Sequence, residues 1–179
     1  MRLFTERGYD ATTVADVAAA AEVSSMTVFR YFPTKEDLVM ADEYDPVIVE
    51  RIRALPSGEP LMGRIGAALV ESAAGISPAG RVMLLARVRL GLSVPALRAR
   101  MWDGQYRSQC YIVEALRGEI PDPDREFELW VATGACLAAA TAAITRWAER
   151  GGEDDLPRLM TAALHIVAAS RTTQAGSEQ

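Results

Sequence analysis

The side chains best suited to recognition chemistry lie in one stretch near the start of the chain. They are hydroxyls, one guanidinium and one amine, with a methionine among them. The set is Thr13, Ser24, Ser25, Met26, Thr27, Arg30, Tyr31 and Lys35. Small and polar groups that share the outer side of a short helix fit the major groove of DNA, and cations and hydroxyls bind phosphates. Any small helical bundle also contains short, polar, capped helices, so the pattern alone leaves both interpretations open.

The sequence contains few of the residues that form catalytic sites. There is one histidine, His165, and there are two cysteines, Cys110 and Cys136, so serine–histidine, cysteine–histidine and histidine–metal sites can hardly be assembled. Carboxylates cluster at 122–128 and at 153–155, but the first cluster lacks the glycine and closing glutamate of a calcium loop, and both fit the starts of helices. We expect no enzyme, no cofactor and no metal.

The elements that position the recognition residues are short helices with clear boundaries. Thr13, with Asp16 three residues on, predicts a capped helix over 14–20. After a four-residue turn, Ser24 or Ser25 begins a second helix that ends near Tyr31. Pro33 separates it from a third helix, which Thr34 begins. Two short helices joined by a tight turn and packed on a third predict a helix-turn-helix.

The remaining sequence also predicts helices. The expected segments, bounded by proline and glycine, are 47–55, 61–74, 79–92, a helix from Pro95 to Leu116, 124–150 and 156–170. The fold class is therefore all-α: an N-terminal helix-turn-helix head of three helices followed by a C-terminal helical domain for ligand binding and dimerisation. The expected divisions are 1–44 for the head, 45–171 for the second domain and 172–179 for a disordered tail.

Composition sets limits on partners and location. Half of the 179 residues are hydrophobic, which supplies a core, and the net charge is −5. The whole net charge lies within residues 1–45, an acidic balance that does not favour DNA binding. The start has charges and no apolar segment of a signal peptide, and the longest uncharged run, 129–145, is too short to span a bilayer. A cytoplasmic protein without a membrane partner is expected.

The stretch FTERGYDATTVADVAAAAEVSSMTVFRYFPTKEDLV resembles the DNA-binding domain of the TetR family of repressors over residues 3–39. The resemblance implies that Thr13, Tyr31 and Lys35 bind phosphates. It also implies that Ser25, Met26 and Thr27, at the start of the recognition helix, read bases, while Arg30 reaches a base or a phosphate.

Several positions depart from the family pattern. Glu22 stands where the turn usually has glycine, which places a non-glycine residue near the left-handed region. Met26 replaces a frequent glycine and either reaches thymine methyl groups or blocks approach. Phe29 replaces a common tyrosine and loses a phosphate contact. Family members generally begin with a basic arm and a full first helix, whereas Met1 falls where that helix is already half over.

The second half of the sequence also resembles TetR regulators. The motifs MWDGQYRSQ and ITRWAERGGEDDLPRLMTAAL are similar to those of actinobacterial members, including the mycofactocin-system type. The resemblance implies a dimer through the last two long helices, with Ala135, Ala139, Ala142, Leu159, Ala163 and Ile166 at the interface. It also implies an effector pocket. The candidate lining residues are Met83, Arg87, Trp102, Tyr106, Gln109, Cys110, Trp130 and Thr133.

The leading hypothesis is a ligand-responsive repressor that binds a palindromic double-stranded DNA operator as a homodimer and is released by a small-molecule effector. The alternative is a TetR-fold sensor or interaction protein with weak or lost DNA binding. The acidic head, Glu22 and Phe29 favour the alternative.

Overall fold

The fold was analysed in a computed structural model, which describes residues 1–40, 45–118 and 122–169. These residues form ten α-helices and no strand, which confirms the all-α fold class. The helices are α1 (Arg2–Arg7), α2 (Val14–Ala20), α3 (Ser25–Tyr31), α4 (Lys35–Met40), α5 (Asp45–Ala54), α6 (Leu61–Ala74), α7 (Pro78–Ser93), α8 (Pro95–Arg117), α9 (Pro123–Glu149) and α10 (Leu156–Ala169). Where the sequence predicted a boundary, the observed boundary lies within a few residues of it.

The chain divides into two compact units. The first comprises Met1–Asp42 together with Pro78–Gly104, and the second comprises Glu43–Ser77 together with Gln105–Gln179. The sequence did not predict that residues 78–104 group with the head, and the division at residue 44 stays a prediction. The expected disordered tail, 172–179, lies outside the described residues.

The first unit has a small aromatic and aliphatic core. Phe4, Tyr9, Val39 and Leu97 are buried in it, and the rings of Phe4 and Tyr9 stack with centroids 5.8 Å apart. Gly8 follows α1, where a glycine is expected to supply a left-handed helix cap, but its conformation differs from that expectation. Its φ is positive at 86°, but its ψ of 161° lies outside the left-handed helical region in a region that only glycine commonly occupies.

The second unit is built around α6, which packs against α5, α9 and α10, while α9 and α10 also pack on each other. Ile65, Leu129, Trp147 and Leu156 are almost fully buried in this unit. Of the described helices, α9 is the one that is long and apolar enough to cross a membrane by length and composition. The sequence prediction counted only the uncharged run 129–145, and 44% of the longer apolar stretch of α9 is buried within the chain.

Candidate nucleic-acid interface

Helices α2 and α3 form the predicted helix-turn-helix. The turn between them passes through Glu22, whose φ is +56°, so a non-glycine residue does occupy the left-handed region as the sequence predicted. The amide of Val23 closes the turn by donating to the carbonyl of Ala18 at 3.0 Å. Of the two serines proposed to begin α3, Ser24 is the cap, because its Oγ accepts from the amide of Thr27 at 3.1 Å.

Thr13 caps α2 through a reciprocal pair with Asp16. The Thr13 amide and hydroxyl both donate to Oδ2 of Asp16, at 2.8 and 2.6 Å, and the Asp16 amide donates back to Oγ1 at 3.1 Å. Hydrogen bonds from Thr13 hold the pKa of Asp16 below its usual range. The two donors that the family resemblance assigns to a phosphate are therefore engaged by a carboxylate, and a phosphate at Thr13 has to displace it.

The outer side of α3 is well exposed. Met26 is 80% exposed and Tyr31 72%, while Phe29 is 48% exposed. Thr27 and Arg30 are also exposed, whereas Ser25 is half-buried and Val28 faces the core. Arg30 is the only charged residue in α3. The helix therefore presents a surface with much apolar area and a single cation.

The start of α4 repeats the capping geometry of α2. The amide and hydroxyl of Thr34 donate to Oδ2 of Asp37 at 3.0 and 2.7 Å. Lys35 follows in the first turn, where its Nζ lies 4.2 Å from the centroid of the Tyr9 ring and 3.5 Å from the carbonyl oxygen of Asp10. The only lysine of the chain is thus held by a ring and a carbonyl, without a carboxylate partner in the described contacts.

Tyr9 connects the core of the head to α4. Its hydroxyl donates to Oε1 of Glu36 at 2.7 Å. Burial, reinforced by this bond, raises the pKa of Tyr9, and the same bond lowers the pKa of Glu36. The sequence motif contains Tyr9 and Glu36, but nothing in their spacing indicated that they meet.

A second contact at α4 was missed by the sequence analysis. Arg100, on α8, donates from Nε to Oδ1 of Asp37 at 3.0 Å and also pairs with Asp103. Burial opposes ionisation of Asp37, but hydrogen bonds from Thr34 and Arg100 outweigh it and lower its pKa. The residues are 63 positions apart, so only the fold brings them together.

The predicted effector residues fall in both units. Met83, Arg87 and Trp102 belong to the first unit, where Met83 is 44% exposed and Trp102 62%. The second unit brings together Tyr106, Gln109 and Trp130: the two rings meet edge to face at 6.2 Å, and Nε2 of Gln109 donates to the carbonyl of Trp130 at 2.9 Å.

The rest of the predicted effector set is less exposed. Cys110 is half-buried, and its contact with the Tyr106 hydroxyl raises the pKa of that tyrosine. Thr133 is fully buried, and its Oγ1 has no hydrogen-bond partner among the described residues. A buried hydroxyl without a partner is costly, which makes Thr133 the member of the set whose polar atom most lacks an explanation within the chain.

The predicted dimer residues lie on α9 and α10. Ala142 and Ile166 are exposed, Ala135, Leu159 and Ala163 are half-buried, and Ala139 is already buried within the chain. Phe127 and Val131, which the sequence analysis did not select, are 71% and 48% exposed on α9. Two apolar grooves flank these faces. One of about 680 Å³ lies between α6 and α10, and one of about 380 Å³ is lined by α6, α9 and α10.

A capped helix-turn-helix whose second helix is exposed defines a DNA-binding protein of the helix-turn-helix class. The family profile for bacterial regulatory proteins of the tetR family matches residues 1–41, and the profile for the MftR C-terminal domain matches residues 59–172. The chain belongs to the TetR family of bacterial transcription regulators, a family of regulators rather than enzymes. The resemblance predicted for each half of the sequence is thereby confirmed.

Relatives agree with this assignment. The HTH-type transcriptional regulator TcmR of Streptomyces glaucescens is 36% identical over 70 residues, which are 37% of this chain and 31% of TcmR. An uncharacterized HTH-type transcriptional regulator of Mycobacterium tuberculosis is 51% identical over 41 residues, 23% of this chain and 20% of that protein. The chain thus matches a third or less of the length of these curated relatives.

A solved structure has the same fold. The chain resembles FadR of Thermus thermophilus, a TetR family transcriptional repressor determined in complex with lauroyl-CoA, with a TM-score of 0.61 and 23% identity over 100% of this chain and 94% of that one. At this identity the likeness supports the fold.

Proposed function

We propose that the protein is a cytoplasmic repressor that binds a palindromic operator as a homodimer and leaves it when a small-molecule effector binds. The observation that carries this proposal is the exposed outer side of α3, held between two capped helix starts in a head that matches the family profile. In such heads the second helix enters the major groove.

Each residue of the head that the sequence assigns to DNA recognition then has a role in binding. Ser25, Met26 and Thr27 lie at the base-reading end of α3, and Arg30 lies one turn further along. Tyr31, Lys35 and Thr13 contact phosphates, and Ser24 holds the first turn of α3 through its bonds to Thr27. The Lys35 ammonium suits a phosphate because its neighbours in the structure are a ring and a carbonyl, which leave its charge uncompensated.

The homodimer is supported by exposed apolar faces on the last two helices. Phe127, Val131 and Ala142 on α9 and Ile166 on α10 are exposed, and Leu159 and Ala163 extend the face of α10. Apolar residues repeat along these helices at the spacing that pairs helices in bundles. A symmetric pair of α9 and α10 would cover both faces and carry the two heads.

An effector site is supported by the contacts among Tyr106, Gln109 and Trp130 in the second unit, and by the buried Thr133 on α9. Two aromatic rings supply apolar contact, and the Thr133 hydroxyl supplies a hydrogen-bonding group that has no partner among the described residues. FadR of Thermus thermophilus holds lauroyl-CoA. We therefore propose an effector with an apolar chain and a polar head, and lauroyl-CoA is the first probe.

The test of DNA binding is a gel shift of the protein with its own promoter region at several salt concentrations. Lys35→Ala should weaken binding to all sequences and reduce the slope of log affinity against log salt by about one unit per head. Arg158→Ala, which removes an exposed cation from α10, is the matched control and should leave affinity unchanged. Absence of any salt-sensitive shift would contradict the proposal.

Dimerisation is tested separately by analytical ultracentrifugation. Ile166→Glu should convert the dimer to a monomer, because it places a carboxylate on the proposed face of α10, where Ile166 is 73% exposed. Val82→Glu, at a site 71% exposed on α7, should leave the dimer intact.

The second candidate function is a sensor that keeps the fold but binds DNA weakly. The net charge of −5 within residues 1–45 favours it, because phosphate binding depends on cations. A protein that dimerises and binds lauroyl-CoA but gives no shift would support this second function.

A further inference from the structure

We propose that Met26 selects thymine at one position in each half of the operator, by apolar contact with the thymine C5 methyl group. This inference rests on the proposed function as a DNA-binding dimer and identifies a base that the recognition helix α3 recognises. It concerns the first turn of α3, where Met26 is the second helical residue.

The side chain of Met26 is highly accessible to solvent. Met26 is 80% exposed, the largest exposure among the large hydrophobic residues of the chain that the structure describes. Phe29, one helical turn later, is 48% exposed. Residues three apart on a helix are neighbours on its surface, so Met26 and Phe29 form one apolar patch on the helix that enters the groove.

The hydroxyl groups around Met26 are engaged in capping or partly buried. The Thr27 hydroxyl lies 2.9 Å from Oγ of Ser24, and that same oxygen accepts from the Thr27 amide at 3.1 Å. Ser25 is half-buried. The hydroxyls at this end of α3 are therefore used for capping or partly covered, and the most accessible group is a thioether.

The four bases differ in the chemical groups that they present in the major groove. Thymine presents a methyl group there beside its O4 acceptor, while the other bases present only hydrogen-bond donors and acceptors. A donor or acceptor covered by a methionine side chain loses its water without gaining a hydrogen bond, which disfavours cytosine, adenine and guanine at that position. A flexible, polarizable thioether adapts well to a methyl group.

The experiment begins with in vitro selection of operators from random duplex DNA by the full chain. Each thymine of the selected sequence is then replaced by deoxyuridine in both half-sites, which removes only the C5 methyl. Affinities of the protein, of Met26→Ala, of Met26→Leu and of Tyr31→Phe are measured by fluorescence anisotropy at one salt concentration. Circular dichroism checks that each variant keeps its helices.

The expected result is one thymine per half-site whose replacement weakens binding about four-fold per half-site, the effect of removing one buried methyl-sized group. Met26→Ala should abolish this penalty at that thymine alone, while Met26→Leu should retain part of it because leucine still offers apolar contact. Tyr31→Phe should lower affinity for all sequences and leave the deoxyuridine penalty unchanged, since a phosphate contact carries no base information.

Two results would overturn the inference. If Met26→Ala keeps every deoxyuridine penalty of the unmodified protein, Met26 does not read a methyl group, although specific DNA binding, and with it the proposed function, stands. If selection enriches no sequence, the proposed function fails and the inference with it. The two failures are distinguished by the selection step itself.

Discussion

Arg100 on α8 donates from Nε to Oδ1 of Asp37 at 3.0 Å, while Oδ2 of the same carboxylate accepts from the amide and hydroxyl of Thr34. One carboxylate thus caps α4 and binds an arginine of α8. Met40, at the end of α4, also approaches Gly91 of α7. A Cβ added to Gly91 would lie 2.8 Å from Cε of Met40. Within the first unit, α4 is therefore held to α7 and α8 at both of its ends.

The Asp37–Arg100 pair should stabilise the first unit measurably. Its side chains are only 14% and 26% exposed, so removal of the guanidinium leaves a carboxylate with little solvent access. Arg100→Gln is expected to lower the free energy of unfolding by about 2 kcal/mol, measured by urea denaturation. Arg117→Gln is the matched control, because the Arg117–Glu126 pair is 53% and 38% exposed and should contribute less than the Asp37–Arg100 pair. Equal losses in the two variants would contradict this ranking.

Stability should fall in acid through the carboxylates of the head. The pKa values of Asp16, Glu36 and Asp37 are lowered in the folded protein, so the unfolded chain binds more protons at low pH. Their contribution is complete above the unfolded pKa of about 4 and is lost as the pH falls through the folded values. Asp37→Asn should flatten the decline in unfolding free energy between neutral pH and about pH 3. Glu59→Gln, which replaces an exposed carboxylate in the turn before α6, is the matched control for the change of charge.

Glu22→Gly should stabilise the protein. Glu22 has a φ of +56°, which costs a residue with a Cβ about 1 kcal/mol relative to glycine. The neighbouring variant Ala21→Gly changes the same turn at a φ of −94°, where glycine brings only extra freedom to the unfolded chain, and should destabilise. Opposite shifts of the melting temperature are expected from adjacent positions. A lower melting temperature for Glu22→Gly than for the unmodified protein would show that the turn is not strained at Glu22.

These contacts show which features the sequence could predict. Helix boundaries, the Thr13–Asp16 and Thr34–Asp37 caps and the strained Glu22 depend on residues within a few positions of one another, where local rules apply. The Tyr9–Glu36 hydrogen bond and the Asp37–Arg100 pair join residues 27 and 63 positions apart, and no local rule relates them. The same limit applies to the effector residues: the family resemblance suggested Trp102 and Tyr106, but their 62% and 58% exposure depends on what packs against α8.

Gly134 should tolerate a side chain poorly, because a Cβ there meets the side-chain amide of Gln109 on α8. A Cβ at Gly134 would lie 2.6 Å from Nε2 and 3.2 Å from Cδ of Gln109, so the amide would have to move and its hydrogen bond to the Trp130 carbonyl would be lost. Gly134→Ala is expected to cost about 2 kcal/mol of unfolding free energy. Gly104→Ala is the control: Gly104 also lies within a helix, but nothing is within 4 Å of its Cβ position, so alanine should stabilise by about 0.5–1 kcal/mol.

The double variant Gly134→Ala/Gln109→Ala separates the clash from the helix preference. Removal of the Gln109 amide leaves the new methyl group room, so the double variant should be more stable than Gly134→Ala alone despite the second substitution. Urea denaturation followed by tryptophan fluorescence measures the stability of the unmodified protein, of Gly134→Ala, of Gly104→Ala and of the double variant. Trp130 reports on the same contact. If Gly134→Ala and Gly104→Ala shift stability in the same direction, the close approach of Gln109 does not constrain this part of α9.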